Sequence, residues 1–176
     1  MKLRKLKASD GECYYNLYRK ALSEVPLLFL ESFEEFDKKS IQDIENMISD
    51  QVKLGTSFIL GAFDDFENLV GFIGFRRESS LRLNHNGFIW GLYVSQKARG
   101  DNLGKALIRQ TLKEASQISG IKQVKLQLEA ENSRAKELYE SFGFEVWGRE
   151  PSAVRVEAVY YDDYHMILRD RIDKDI

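Results

Sequence analysis

The chain has 176 residues, 43% hydrophobic and 31% charged, and its 26 Lys and Arg nearly balance 28 Asp and Glu for a formal net charge of −2. That length suits one domain with a substantial core, and a balanced charge without a basic stripe argues against a nucleic-acid binder. The single cysteine, Cys13, can form no internal disulfide and is poor material for a metal centre, and no apolar run has the length of a signal or a membrane span, so a cytoplasmic protein without metal is expected.

Leu3 to Leu6 reads as a short first strand, and Asp10 stands where it would cap a helix running to about Leu22. A second helical region spans Ser32 to Val52, with Ile41, Ile44, Met47 and Ile48 at helical spacing and Ser40 as a cap. The period then becomes that of strands. Ser57 to Phe63 and Leu69 to Glu78 predict a hairpin about the turn Asp64-Asp65-Phe66-Glu67-Asn68. The unbroken apolar run Phe88 to Val94 predicts a central strand covered on both faces. Leu107, Ile108, Thr111, Leu112, Ala115 and Ile118 mark one face of the helix that follows. Val124, Leu126 and Leu128 alternate with Lys125, Gln127 and Glu129 as in a strand. Ala135, Leu138, Tyr139 and Phe142 form one stripe of a short helix that Gly143 is placed to end. Phe144 to Trp147 and Val159 to Leu168 are the closing strands, paired across a longer loop. The predicted order is β-α-α-β-β-β-α-β-α-β-β, in one domain over residues 1–176.

Between the central strand and the next helix lies Arg99-Gly100-Asp101-Asn102-Leu103-Gly104-Lys105. A small-residue loop at this place suits a diphosphate. The first helical turn has backbone N–H groups without partners, the helix dipole favours negative charge, and glycines let an anion approach the backbone. Two readings stand for Gly100 and Gly104: a phosphate cradle, or a tight turn with close helix packing.

A second segment settles what the loop resembles. Asn132-Ser133-Arg134-Ala135 is followed by Leu138-Tyr139-Glu140 and Gly143-Phe144. With Arg99-Gly100-Asp101-Asn102-Leu103-Gly104 as an R/Q-x-x-G-x-G/A signature, the chain resembles, over nearly its whole length, the GNAT superfamily of acetyl-CoA-dependent N-acetyltransferases. Three further stretches resemble one bacterial-type subgroup: His85 with Tyr93-Val94, Gly148-Arg149-Glu150-Pro151, and Tyr160-Tyr161-Asp162-Asp163 leading to Met166. The resemblance implies an α/β (α+β) single-domain fold: a mixed, mostly antiparallel central sheet of about seven strands flanked by helices. It implies acetyl-CoA as cosubstrate, and an acetyl group moved to a primary amine of a small molecule or peptide by direct attack through a tetrahedral intermediate. One position departs from the signature: its middle glycine is Asn102, the non-glycine residue that best tolerates left-handed backbone geometry.

The resemblance also assigns roles. Backbone N–H groups from Arg99 through Gly100, Asp101, Asn102, Leu103 and Gly104 to Lys105 would cradle the CoA diphosphate. Backbone groups of Leu92 and Val94, where the central strand splays from its neighbour, would pair with the pantetheine arm and face the thioester oxygen. Asn132, an evident helix N-cap, would also touch the CoA arm. Tyr139 would protonate the departing thiolate, as a phenol with an ordinary pKa near 10 can at neutral pH; on the residues alone it is equally a core aromatic.

A general base is not legible. Trp90 and Gly91 occupy positions where some relatives carry an acid. Glu129 and Glu24 lie in suitable regions but read as solvated surface charges, His85 reads as structural, and His165 with Met166 reads as packing. Ordered water is the default base. The acceptor side falls on Pro26-Leu27-Leu28-Phe29-Leu30 and Ser152-Ala153-Val154-Arg155, which name no substrate, and a homodimer is left open. The competing readings are a non-catalytic acyl-CoA-binding or regulatory module on the same fold, and an interaction domain without cosubstrate.

Overall fold

The computed structural model describes residues 1–100 and 102–169. Its single sheet has seven strands in the order β1-β2-β3-β4-β5-β7-β6. These are β1 (Lys2–Lys5), β2 (Ser57–Phe63), β3 (Leu69–Arg77), β4 (Asn86–Val94), β5 (Gln123–Glu129), β6 (Glu145–Val156) and β7 (Val159–Arg169). Five α-helices join them: α1 (Gly11–Glu24), α2 (Phe33–Phe36), α3 (Ile41–Leu54), α4 (Leu103–Ser116) and α5 (Ser133–Glu140). β4 and β5 run parallel, and the other strand pairs among the described residues are antiparallel. The mixed sheet of about seven strands is therefore as expected.

Helix limits follow local chemistry. Ser40 starts α3 by accepting the Asp43 N–H while Asp43 reaches back to the Ser40 N–H, and Gly55 ends it in the left-handed region at φ 65°. The helical region from Ser32 to Val52 divides in two: Ser40 caps α3 as expected, and Ser32 starts the short α2 with a capping box of its own. Asp10 stands at the N-cap position of α1, as expected, but without a side-chain capping bond. Its carboxylate instead accepts the Lys7 N–H at 2.7 Å and both guanidinium arms of Arg4 at 2.6 and 2.8 Å, fastening β1 to the turn before α1.

The last two strands depart most from the sequence reading. β6 runs on to Val156 and meets β7 through a tight Glu157-Ala158 turn, not a longer loop. Pro151 is accommodated where the register shifts between Glu150 and Val154. There Ser152 adopts φ 54° and donates its N–H to Asp162 at 2.8 Å.

α4 covers one face of the sheet, and α1 and its neighbours cover the other over β2 to β4. Leu107, Ile108 and Leu112 of α4 are fully buried with Ile89, Val124 and Met166 on one side. On the other, Tyr14 and Tyr18 of α1 meet Phe72 at ring-centroid distances of 5.2 and 5.6 Å, and Phe36 joins them. No helix among the described residues is long and apolar enough to cross a membrane.

Candidate active site

The sheet has an opening beside α4. β4 and β5 pair at three positions, Asn86 with Gln123, Gly87 with Val124 and Phe88 with Lys125, after which β4 continues to Val94 and β5 to Glu129 without pairing. A bulge drives the divergence. Phe72 lies opposite Tyr93 and Gly74 opposite Trp90, so Gly91 and Leu92 together face Ile73. An extra residue bends the strand that carries it, and Gly91 supplies the left-handed conformation at φ 65°. A Cβ at Gly91 would stand 3.3 Å from Phe29, so the chain after α1 packs directly on the bulge.

Val94 presents its backbone to this opening. The Ser95 N–H donates to Val70 O at 2.9 Å, which makes Ser95 and Val70 a hydrogen-bonded pair of the antiparallel ladder. Alternation then turns the N–H and C=O of Val94 away from β3, toward the side β5 has left. The Arg99 Nε donates to that Val94 oxygen at 3.0 Å.

The loop leading into α4 adjoins the same end of β4. Gly100 has φ 109° and Asn102 φ 54°, so both signature positions that need left-handed geometry have it, and Asn102 keeps the shape a glycine would give. Asn102 is the N-cap of α4, yet its side chain accepts no capping hydrogen bond. The first helical bond runs from Ala106 N to Asn102 O at 3.0 Å, which leaves the N–H groups of Leu103, Gly104 and Lys105 without helical acceptors. No acidic side chain occupies the first turn, although acids are favoured there. The packing reading of Gly104 fails: a Cβ there would meet only Leu138 Cδ2, at 3.9 Å. This helix end is uncapped, with open space beside Gly104. Asp101 lies outside the described residues.

That contact with Leu138 also brings α5 to the loop. Asn132 caps α5 as expected, accepting the Ala135 N–H at 3.0 Å through Oδ1. Gly143, at φ 86°, turns the chain out of α5 into β6. Tyr139 is 7% exposed and packs edge-on against Phe144 with centroids 5.6 Å apart. Burial alone raises its phenol above the ordinary value, so the hydroxyl keeps its proton at neutral pH.

Two residues that read as bland in the sequence are engaged here. Glu24 is no free surface charge: it accepts the Tyr93 hydroxyl at 2.6 Å and lies 3.6 Å from Lys20 and 4.0 Å from Arg99. The Tyr93 bond, with the two cations, holds its carboxyl below the usual range, which suits a fixed acceptor better than a base. His165 is more than packing: its Nε2 lies 2.7 Å from Glu150 and its ring 5.3 Å from that of Trp147. His85 precedes β4 and its carbonyl accepts from Lys122 at 2.8 Å, a structural place. Glu129 ends β5, at the open end of the gap. Among the described residues no group of three or more His, Cys, Asp and Glu is arranged to hold a metal ion.

With the geometry in view, comparison with known proteins is decisive for the family. The model of the acetyltransferase (GNAT) family matches residues 15–144. The chain belongs to the GNAT acetyltransferase family. The reading of the sequence as an N-acetyltransferase enzyme is borne out at that level. The fold of this GNAT protein is similar to that of an acetyltransferase of GNAT family from Streptococcus pneumoniae, with a TM-score of 0.86 at 17% identity over 96% of this chain and 98% of that one. It is similar also to a putative acetyltransferase from Salmonella typhimurium, solved with its cofactor acetyl-CoA, with a TM-score of 0.83 at 18% identity over 100% and 96% of the two chains. A curated relative, mycothiol acetyltransferase from Brachybacterium faecium, is 33% identical over 84 residues; the match takes in 48% of this chain and spans 25% of that protein's length.

Proposed function

We propose that this GNAT protein transfers the acetyl group of acetyl-CoA to a primary amine, with the cosubstrate lying along the β4 edge of the gap. The observation that carries the reading is the conjunction of an open β4 edge with an uncapped helix end a few residues later. The amides of Leu103, Gly104 and Lys105 receive the diphosphate, and the Val94 N–H and C=O take up the amide-bearing arm as an added strand would. For Val94 O to accept from that arm, the Arg99 side chain yields its place there.

The amine approaches from the face that carries the Pro26–Leu28 turn and attacks the thioester carbon. A backbone N–H at Leu92 or Val94 stabilises the charge that develops on oxygen. As the carbon–sulfur bond breaks, the Tyr139 hydroxyl gives its proton to the sulfur, and the nitrogen loses its extra proton to ordered water. The protein acts in the cytoplasm in this reading, on a small-molecule or peptide acceptor. Thiol release from acetyl-CoA across a panel of amines tests it, with a thermal shift on CoA in parallel. Release with at least one amine supports transfer; a CoA shift with no release from any amine favours a binding module; no shift removes the cosubstrate site.

A further inference from the structure

Three carboxylates stand side by side across the half of the sheet beyond the gap. Asp163 on β7 lies directly opposite Glu129 on β5 and Glu150 on β6. Directly opposed residues of antiparallel strands point to one face, and like charges placed so repel. Tyr164, Met166 and Leu168 belong to the core under α4, so by alternation Asp163 and His165 point to the other face. On that side the Pro26–Leu28 turn reaches β5 and β6. Glu129 is the last residue of β5, so the row begins at the open end of the gap.

Nothing in the fold accounts for the middle member. Asp163 is 6% exposed, yet among the described residues its carboxyl accepts no hydrogen bond. Its neighbour Asp162 is the structural acid of the hairpin, taking the Ser152 N–H at 2.8 Å and the Arg149 Nε at 2.9 Å. Glu150 faces His165, and among the described residues Glu129 accepts the Glu131 N–H alone, at 3.1 Å. Among the described residues Asp163 forms no salt bridge, and His165 is the neighbour that favours its ionised form. Burial, with the charges of Glu150, Glu129 and Asp162, holds the Asp163 carboxyl above the usual carboxylate range against the opposite pull of His165. A buried carboxylate between two others, accepting no hydrogen bond and forming no ion pair with lysine or arginine among the described residues, is complementary to a cation brought from outside.

We propose that the row Glu129–Asp163–Glu150 binds a second ammonium group of the acceptor, so that the acceptor is an aliphatic diamine or polyamine; this rests on the acetyltransferase reading above. The row serves the non-reacting nitrogen, because carboxylates stabilise the protonated form and the attacking nitrogen needs its lone pair. Asp163 lies at the middle of the row, between Glu129 and Glu150. Beside it the indole of Trp147, 54% exposed and next to His165, offers a flat apolar wall for the methylenes.

The test compares spermidine with butylamine and with a lysine-bearing peptide as acceptors in the thiol-release assay, on wild type, Asp163→Asn and Glu129→Gln. Wild type is expected to favour spermidine over butylamine by about tenfold or more in kcat/KM, with the preference shrinking as salt is raised. Each variant is expected to lower that preference about tenfold, chiefly through KM. Calorimetric titration of spermidine into the CoA-saturated protein gives a readout independent of turnover. Binding that weakens about tenfold in Asp163→Asn supports the site even if no acetyl group moves, which would be a failure of the acetyltransferase reading alone. Equal use of spermidine and butylamine, turnover of the peptide alone, or spermidine affinity unchanged in Asp163→Asn overturns the proposal.

Discussion

Replacing Gly104 by valine separates the cradle from the fold. The position is the second residue of α4, and a Cβ there meets nothing closer than Leu138 Cδ2 at 3.9 Å, an ordinary contact. Glycine is about 1 kcal/mol worse than alanine inside a helix and valine less so, and the variant should gain a few tenths of a kcal/mol or be neutral in stability. The branched side chain nevertheless stands over the N–H groups of Leu103, Gly104 and Lys105. A hydrogen bond to a charged group contributes about 1.5–3 kcal/mol, and loss of two of the three implies roughly 3–6 kcal/mol, a fall in CoA affinity of at least about a hundredfold. Gly104→Ala, which adds only the Cβ, should fall between wild type and valine. Calorimetric titration of CoA, beside thermal unfolding of each protein, measures both quantities. A Gly104→Val protein with wild-type melting temperature and CoA affinity within threefold of wild type would refute the cradle.

Other expectations follow from the same geometry. Asn102→Gly keeps φ 54° accessible without a side chain, so CoA affinity should be unchanged or slightly raised; a tenfold loss by calorimetry would make the Asn102 amide a ligand. Tyr139→Phe preserves the contact with Phe144 and removes the proton donor, so turnover should drop about a hundredfold with KM and melting temperature little changed; wild-type kcat would leave only the packing role. Asp10 has a folded pKa below its unfolded value: burial raises it, but Arg4 and the Lys7 N–H outweigh that. The stability it contributes is thus full above the ordinary carboxylate range and lost as pH falls through the folded value, and Asp10→Asn should cost roughly 1–3 kcal/mol at neutral pH and little in acid, by denaturant unfolding. Asp163 has the opposite sign. Its folded pKa is raised, so stability declines as pH rises from the unfolded value through the folded one, and Asp163→Asn should melt higher than wild type at pH 7 and converge with it in acid.

The parts of the site legible in the sequence are those written contiguously. The strand, loop and helix start from Phe88 to Ala106 sit together in the chain, and the left-handed needs of Gly100 and Asn102 follow from residue type alone. Asn132 and Gly143 likewise announce the two ends of α5. What stayed hidden depends on pairings between distant segments. Tyr93 counted as one more apolar residue of β4, and nothing near Glu24 in sequence shows that the two meet; register and the end of α1 create that contact. The Glu129, Asp163 and Glu150 row exists only once three strands are aligned. The far part of β6 was unreadable for another reason. It is an edge strand largely exposed along its length, so it lacks apolar alternation, and Pro151 within it signals a loop. The Ser40 cap marks the start of α3 in the sequence, but the end of α2 at Phe36 is hidden because no glycine or proline follows it.

The separation of β4 from β5 has a mechanical meaning beyond catalysis. A continuous sheet is stiff because each strand is tied to two neighbours along its length, whereas this one is two plates, β1 to β4 and β5 to β6, joined by a short seam at Asn86–Phe88. The plates carry different duties. Beside the seam, the first holds the loop of α4 and the second holds the acidic row, so the width of the cleft sets how far the two are held apart. Each plate also ends there in an internal edge of unpaired backbone, a surface that proteins ordinarily cover. In the proposed function the cosubstrate fills that edge as a missing strand, and bound CoA is expected to stiffen the two plates into one.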